Sequence, residues 1–290
     1  ALIAQHWPAQ HRGRAASFVF SSFAIGAAVA AAVGRLVLGT HWQWLFVGGA
    51  VSIPAAVLAW SLIPADPRPA PSAAGAKATA AGAQGDARVG VGAIFARGVA
   101  PITLAATLVS VVNLAGFWGA AFWIPTFLTR ERGVDVSTML TFQFVQYLGM
   151  FIGFQFFGWL ADVAGRRRSM MAAFATCAVS IGVYIVVRDP AFLFWWGAVV
   201  GFGLCGAGGI LGAYYAELFP PRIRAYAGGF CWNMGRIGSI AAPYTMGVIG
   251  KSYGLQSGLA VTCAIYAAGV LVLLLLPETF RREAGKPVPA

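Results

Sequence analysis

Arg236 is the residue that this chain can least easily place. It lies inside the apolar run 226–250, where a charged side chain is costly and must meet an anionic partner or a watery cavity. No acidic residue falls near the centre of any apolar run in the sequence. A guanidinium in that setting is a planar, two-pronged donor suited to a carboxylate. The carboxylate can come from a substrate or from an acidic group elsewhere in the protein. Asn233, three residues earlier, can share its helix face. Gln143, Gln146 and Tyr147 fall at i, i+3 and i+4 of another run, and Asn113, with Phe117 one turn on, lies near the middle of a third. These groups can bond and stack around a small organic ligand, or simply join neighbouring helices.

A second set of charges sits where apolar runs end. Residues 158–168 read GWLADVAGRRR and residues 216–224 read AELFPPRIR. Asp162 and Glu217 each stand at the end of a run, Gly165 permits a tight turn, and Arg166, Arg167, Arg222 and Arg224 supply cations. Such pairs can hold helices together in one state and release them in another. The arginines can equally serve only to fix topology. None of them stands at the depth of a central ligand.

Other chemistry finds no support. No His/Asp/Glu constellation suits catalysis, so no enzymatic activity is expected. Cys177, Cys205, Cys231 and Cys263 lack metal-ligand spacing and read as small core residues. No metal and no cofactor is expected. The run GFGLCGAGGILG at 201–212 lacks the Lys-Ser/Thr that completes a phosphate loop; close packing and mobility explain it. The formal charge of +11 lies between apolar runs and comes with no nucleic-acid-binding motif, so a nucleic-acid partner is excluded.

The elements that carry these residues are membrane helices. The chain is 59% hydrophobic and only 10% charged, whereas soluble domains approach about a quarter charged. Eight runs are long enough to cross a bilayer: 15–38, 43–64, 99–128, 137–160, 169–187, 191–217, 226–250 and 255–276. Residues 65–98, rich in Ala, Gly and Pro, read as a flexible linker with a surface helix at its end. Trp118, Trp123, Trp195 and Trp196 read as packing or interfacial anchors. Basic residues crowd one side, with Arg12, Arg14, Arg68, Arg166, Arg222 and Arg281 among them, and are sparse on the other. The positive-inside rule puts the crowded side, and with it both ends of the chain, in the cytoplasm.

One segment occurs twice. Residues 4–31 and 216–243, offset by 212, match at Pro8/Pro220, Arg12/Arg224, Phe18/Phe230 and Gly26/Gly238, and Phe20/Trp232 keeps an aromatic. Each copy is a basic elbow that leads into an apolar stretch. Duplication over about six spans marks a transporter built of two halves.

The loop at 158–168 resembles the G-x-x-x-D-x-x-G-R-R loop of the major facilitator superfamily. AELFPPRIR resembles the E-x-F-P-x-x-x-R elbow of its sugar-porter-like and organic-acid-transporting members, and PETF at 277–280 resembles the sequence after their last span. NMGRIGSIAAP resembles the G-R-x-G segment of organic-acid proton symporters. In the first elbow Gln5 replaces the acidic counterpart of Glu217, so that elbow lacks the carboxylate of the second.

The resemblance implies an all-α, two-bundle membrane fold with eight visible spans of an expected twelve. Residues 1–64 would then be the remnant of an amino-terminal six-helix bundle, 65–98 a cytoplasmic linker, 99–276 the carboxy-terminal bundle and 277–290 a cytoplasmic tail. It further implies a monomeric secondary transporter of the bacterial inner membrane that imports a small organic acid by proton symport and alternating access. The proton-carrying carboxylate would lie in spans that precede this chain. A sugar or polyol symporter is the alternative, and a drug exporter ranks below it. A membrane-embedded enzyme and a non-transporting receptor are the rival classes. Arg236, Asn233, Asn113, Gln143, Gln146 and Tyr147 are the expected substrate residues. Asp162, Gly165, Arg166, Arg167, Glu217, Arg222 and Arg224 are the expected cytoplasmic gate.

Overall fold

The computed structural model describes residues 11–37, 43, 49–50, 52–62 and 91–279. Among the described residues there are helices and no strands. In chain order they are α1 (Arg12–Val37), α2 (Ser52–Leu62), α3 (Val91–Ile94), α4 (Ala100–Arg130), α5 (Val136–Val163), α6 (Arg166–Val186), α7 (Pro190–Leu204), α8 (Gly206–Leu218), α9 (Arg224–Tyr253) and α10 (Leu255–Leu273). Six segments of the described residues are long and apolar enough to cross a membrane. Most of the expected linker (65–90), much of the run 43–64 and the tail from Phe280 lie outside the described residues. The surface helix expected at the linker's end is the single turn α3. Its Ile94 is fully buried, and its backbone carbonyl accepts a 2.8 Å hydrogen bond from the Thr103 hydroxyl.

Two expected spans differ in detail. The run 191–217 is one membrane-length segment, Pro190–Leu218, interrupted at the single residue Cys205, whose φ of −100° and ψ of −8° end α7 and begin α8. The cause is local packing. A Cβ on Gly206 would stand 2.7 Å from Ala173 Cβ and closer still to the Phe157 ring, so the backbone lies directly against α5 and α6. The run 226–250 is helical, but α9 is absent from the six apolar segments. It spends positions on Asn233, Arg236, Ser239, Tyr244 and Thr245, as a helix turned towards water or ligand does.

α4 packs on α9 and α10, α6 on α10 and α7, and α5 on α7, which closes a bundle of six membrane-length segments. α1 lies against α5 and α8 on one side of that bundle. Glycines set two of these approaches. Gly149 and Gly153 of α5 face the backbone of Ala198 and Phe202, where a Cβ would overlap the carbonyls. At Gly158 a Cβ would meet Ser17 of α1 at 2.7 Å. The repeat also appears in the helix starts, since α1 opens at Arg12 and α9 at Arg224, 212 residues apart.

Candidate functional site

An open-sided cavity of about 550 Å³ lies midway along α4 and α9. α4 contributes Asn113, Phe117 and Trp118; α9 contributes Trp232, Arg236 and Ser239. α1 closes it with Phe20 and Phe23, and Phe23 packs edge-on to Phe117 with ring centroids 5.9 Å apart. The helix break lines it too, through Leu204, Cys205 and Gly208, and Phe154 reaches it from α5. The walls are thus mostly aromatic, with three polar side chains among them.

Two of those polar groups lack partners. Arg236 makes no ion pair and no side-chain hydrogen bond among the described residues; the Ser239 hydroxyl bonds only its backbone carbonyl. Asn113 is 4% exposed, and its carbonyl oxygen is buried without a hydrogen bond. A buried amide left unpaired costs about 1–3 kcal/mol. A mid-helix guanidinium and an orphan amide on one aromatic-walled cavity are what a bound polar ligand would satisfy.

The remaining expected ligand residues are not brought to this cavity. Asn233 is exposed and donates back to the Gly229 carbonyl at 2.8 Å. Around a helix, positions three and four before Arg236 flank it on opposite sides, and the side turned to the cavity carries Trp232. Gln143 and Gln146 are 6% and 3% exposed, and neither lines the cavity. Depth is the reason: Phe154 is the α5 wall residue, and Gln143 lies 11 residues before it, about 16 Å along the helix. Tyr147 lines instead an apolar groove between α1 and α5.

The charges at the arginine-rich ends of the helices form one network. Asp162, at the end of α5, accepts hydrogen bonds from the backbone N–H groups of Gly13 at 3.1 Å and Arg14 at 3.0 Å, and so caps α1. It also pairs with Arg166. The Arg166 side chain is fully buried and reaches Glu217 of α8 at 3.2 Å, while the Thr279 hydroxyl donates to the other Glu217 oxygen at 2.7 Å. Arg166 therefore joins α5, α6 and α8, with α1 seated above through Gly13. A Cβ at Gly13 would meet both Arg166 and Asp162 at 2.6 Å. Gly165 turns the chain at φ +109°, a region that favours glycine. The Glu278 carboxylate packs over it and accepts from the N–H groups of Arg167 at 3.3 Å and Arg168 at 3.2 Å. Arg14 adds a longer contact to Asp162 at 3.7 Å.

Not every expected gate residue joins. Arg167 donates to the Leu276 carbonyl at 2.9 Å rather than to Asp162. Arg224 donates to the Phe219 carbonyl of its own elbow at 3.4 Å, and neither it nor Arg222 forms an ion pair among the described residues. Glu217 accepts instead from Arg166 and Thr279. Gln5 lies outside the described residues.

The sequence profile of the Major Facilitator Superfamily matches residues 1–154 and 106–290. The chain belongs to the major facilitator superfamily. Its kinship is with multi-pass membrane transporters and not with enzymes. A Haemophilus influenzae protein described as a metabolite transport protein is 30% identical over 96% of this chain and 69% of its own length. A Cupriavidus pinatubonensis protein named for 4-methylmuconolactone transport is 30% identical over 96% of this chain and 64% of its own. The cis,cis-muconate transport protein of Acinetobacter baylyi is 28% identical over 56% of this chain and 40% of its own. This superfamily member thus spans about two thirds of the length of the first two relatives.

Several cavity residues of this superfamily chain escape a reading by residue type. Trp118 reads as an anchor yet lines the cavity, Phe20 is marked only as the repeat partner of Trp232, and Phe23 and Phe154 give no sequence signal of their own. Ser239 and Trp232 had a usable one: with Arg236 they fall at i−4, i and i+3, a single helix face.

Proposed function

We propose that this chain belongs to a secondary active transporter that imports a small organic acid, with the substrate carboxylate held by Arg236. In this reading residues 1–64 end an amino-terminal bundle, 65–98 link it to the bundle at 99–276, and 277–290 form a tail. The arginine-rich ends face the cytoplasm, and the protein acts as a monomer in a bacterial inner membrane. A proton gradient drives uptake, in keeping with the lack of a nucleotide-binding motif in the sequence. The two bundles rock around the cavity, and the Asp162–Arg166–Glu217 network holds one of the two states.

The observation that carries this reading is Arg236, unpaired among the described residues and set in a cavity walled by aromatic side chains. A guanidinium at that depth disfavours cations and matches a planar anion. The relatives named for muconate and methylmuconolactone transport point to the same substrate class. The elbow and PETF segments, which resemble sugar porters, favour a sugar or polyol as the second reading.

The test is uptake into proteoliposomes under an inward proton gradient, with labelled cis,cis-muconate, 4-hydroxybenzoate, glucose and sorbitol. The proposal predicts accumulation of an acid that a protonophore abolishes, with neither glucose nor sorbitol taken up. Uptake of the sugar or polyol alone would support the second reading. Acid uptake unaffected by the protonophore would refute proton symport.

A further inference from the structure

A second cavity of about 490 Å³ adjoins the one that holds Arg236, on the side of the arginine-rich helix ends. The two share Phe20, Gly208 and Trp232 as a common rim. Phe20 and Trp232 are also partners in the repeat, 212 residues apart, so each elbow helix sends one aromatic to the same constriction.

The glycines of α8 divide in two. Gly206 and Gly209 are pressed against neighbours, with a Cβ on Gly209 only 2.6 Å from the Ser17 hydroxyl. Gly212, which lines the second cavity, would have nothing within 4 Å of a Cβ, and Gly208 on the rim only the Asn113 amide at 3.9 Å. Helix packing does not require glycine at either position. An open glycine floor leaves width for a solute.

α9 forms the opposite wall with Arg224, Gly228, Trp232 and Arg236, four residues apart at each step. Such a row is a single ridge of a helix. Its ends are two arginines separated by 12 residues, about 18 Å at 1.5 Å per residue, with Trp232 between them. Arg236 is unpaired among the described residues. Arg224 lines the second cavity and uses only its Nε, to the Phe219 carbonyl. Its two Nη groups have no partner among the described residues.

We propose that Arg224 is a second carboxylate-binding station, which takes the substrate anion after it leaves Arg236 and passes between Phe20 and Trp232. This rests on the organic-acid reading of the central cavity. Both arginines are exposed, but Arg224 opens α9 at a helix end whereas Arg236 stands mid-helix beside aromatic walls, so bulk water screens the Arg224 charge more and its hold on an anion is weaker. A weaker site towards the helix ends is suited to release.

The test is equilibrium binding and counterflow exchange of labelled cis,cis-muconate by the whole transporter in proteoliposomes. R224A should slow exchange about tenfold, the factor that accompanies ~1.4 kcal/mol, with equilibrium binding little changed. R224K should recover most of the exchange. G212L should slow exchange as R224A does, because a side chain there projects into the second cavity from a Cβ position with nothing within 4 Å. R236A should instead lose binding itself. Normal exchange in both R224A and G212L would overturn the second station. So would loss of equilibrium binding in R224A with normal exchange in G212L, since Arg224 would then belong to the central site or its support. Should R224A fail to fold, R224K and G212L decide the matter. Full binding retained in R236A would refute the organic-acid reading itself, and is distinguishable from these results.

Discussion

Asp162→Asn is the sharpest perturbation of the network at the helix ends. The Asp162 side chain is 2% exposed, pairs with Arg166 and accepts from Gly13 N at 3.1 Å and Arg14 N at 3.0 Å. Asparagine keeps one acceptor but turns an NH2 group towards a donor, so at least one bond is lost together with the charge. A hydrogen bond to a charged group contributes about 1.5–3 kcal/mol, and removing one partner of a buried ion pair costs about 3–5 kcal/mol. Arg166 retains Glu217 at 3.2 Å, so the cost falls at the lower end, about 2–3 kcal/mol. That shifts the balance between joined and parted α1 and α5 by about 30- to 150-fold. Ser17, fully buried where α1 meets Gly158, offers the readout. With Ser17→Cys in place and Cys263→Ser removing the half-buried native thiol, maleimide labelling should accelerate by a comparable factor in Asp162→Asn. Transport should slow while membrane insertion persists. Unchanged labelling together with unchanged transport would refute the gating role and leave these charges only a topological one.

Further outcomes follow from single contacts. Gly165→Val places a β-branched side chain at φ +109° against the Glu278 carboxylate; it should cost about 1–3 kcal/mol and lower the detergent melting temperature, whereas Gly182→Ala, in open space, should not. Asp135 caps α5 by accepting from Thr138 N at 3.0 Å, and hydrogen bonding from the Thr138 side chain, then from this N–H, holds its carboxyl below the ordinary 3.8. A depressed carboxyl stabilises the fold above its unfolded pKa and loses that contribution as pH falls through the folded one. Asp135→Ala should therefore be less stable than wild type at neutral pH and converge with it as pH falls through the depressed folded pKa, as pH-dependent melting curves would show.

The helical membrane fold was legible because apolar runs of bilayer length need no tertiary information: α4, α5, α6, α9 and α10 begin and end close to the expected limits. The break at Cys205 was not, because it depends on Gly206 lying against Phe157 and Ala173, residues of other helices. At the helix ends, motif and geometry meet at Asp162, Arg166 and Glu217, whose charges pair over short distances, and at Gly165, which turns the chain at positive φ. They part at Arg222 and Arg224, which form no ion pair among the described residues. Within the membrane the sequence singled out Arg236 and Asn113 by their polarity, and both reach the cavity. Gln143, Gln146 and Asn233 are as polar but differ in depth or face. Periodicity fixes which residues share a face, not which neighbour that face meets.

The central claim is that Arg236 holds a carboxylate, and binding of an acid and its amide tests it most directly. The measurement is the affinity of 4-hydroxybenzoate and 4-hydroxybenzamide for wild type, Arg236→Lys and Arg236→Ala, with folding checked by detergent stability. Loss of the charge partner should weaken acid binding by about tenfold or more in Arg236→Ala, with Arg236→Lys between it and wild type because the planar fork is lost. Amide binding should be weak in wild type and little changed in either variant. Equal losses for acid and amide in folded variants would contradict the account and make Arg236 a structural ion-pair partner within the protein.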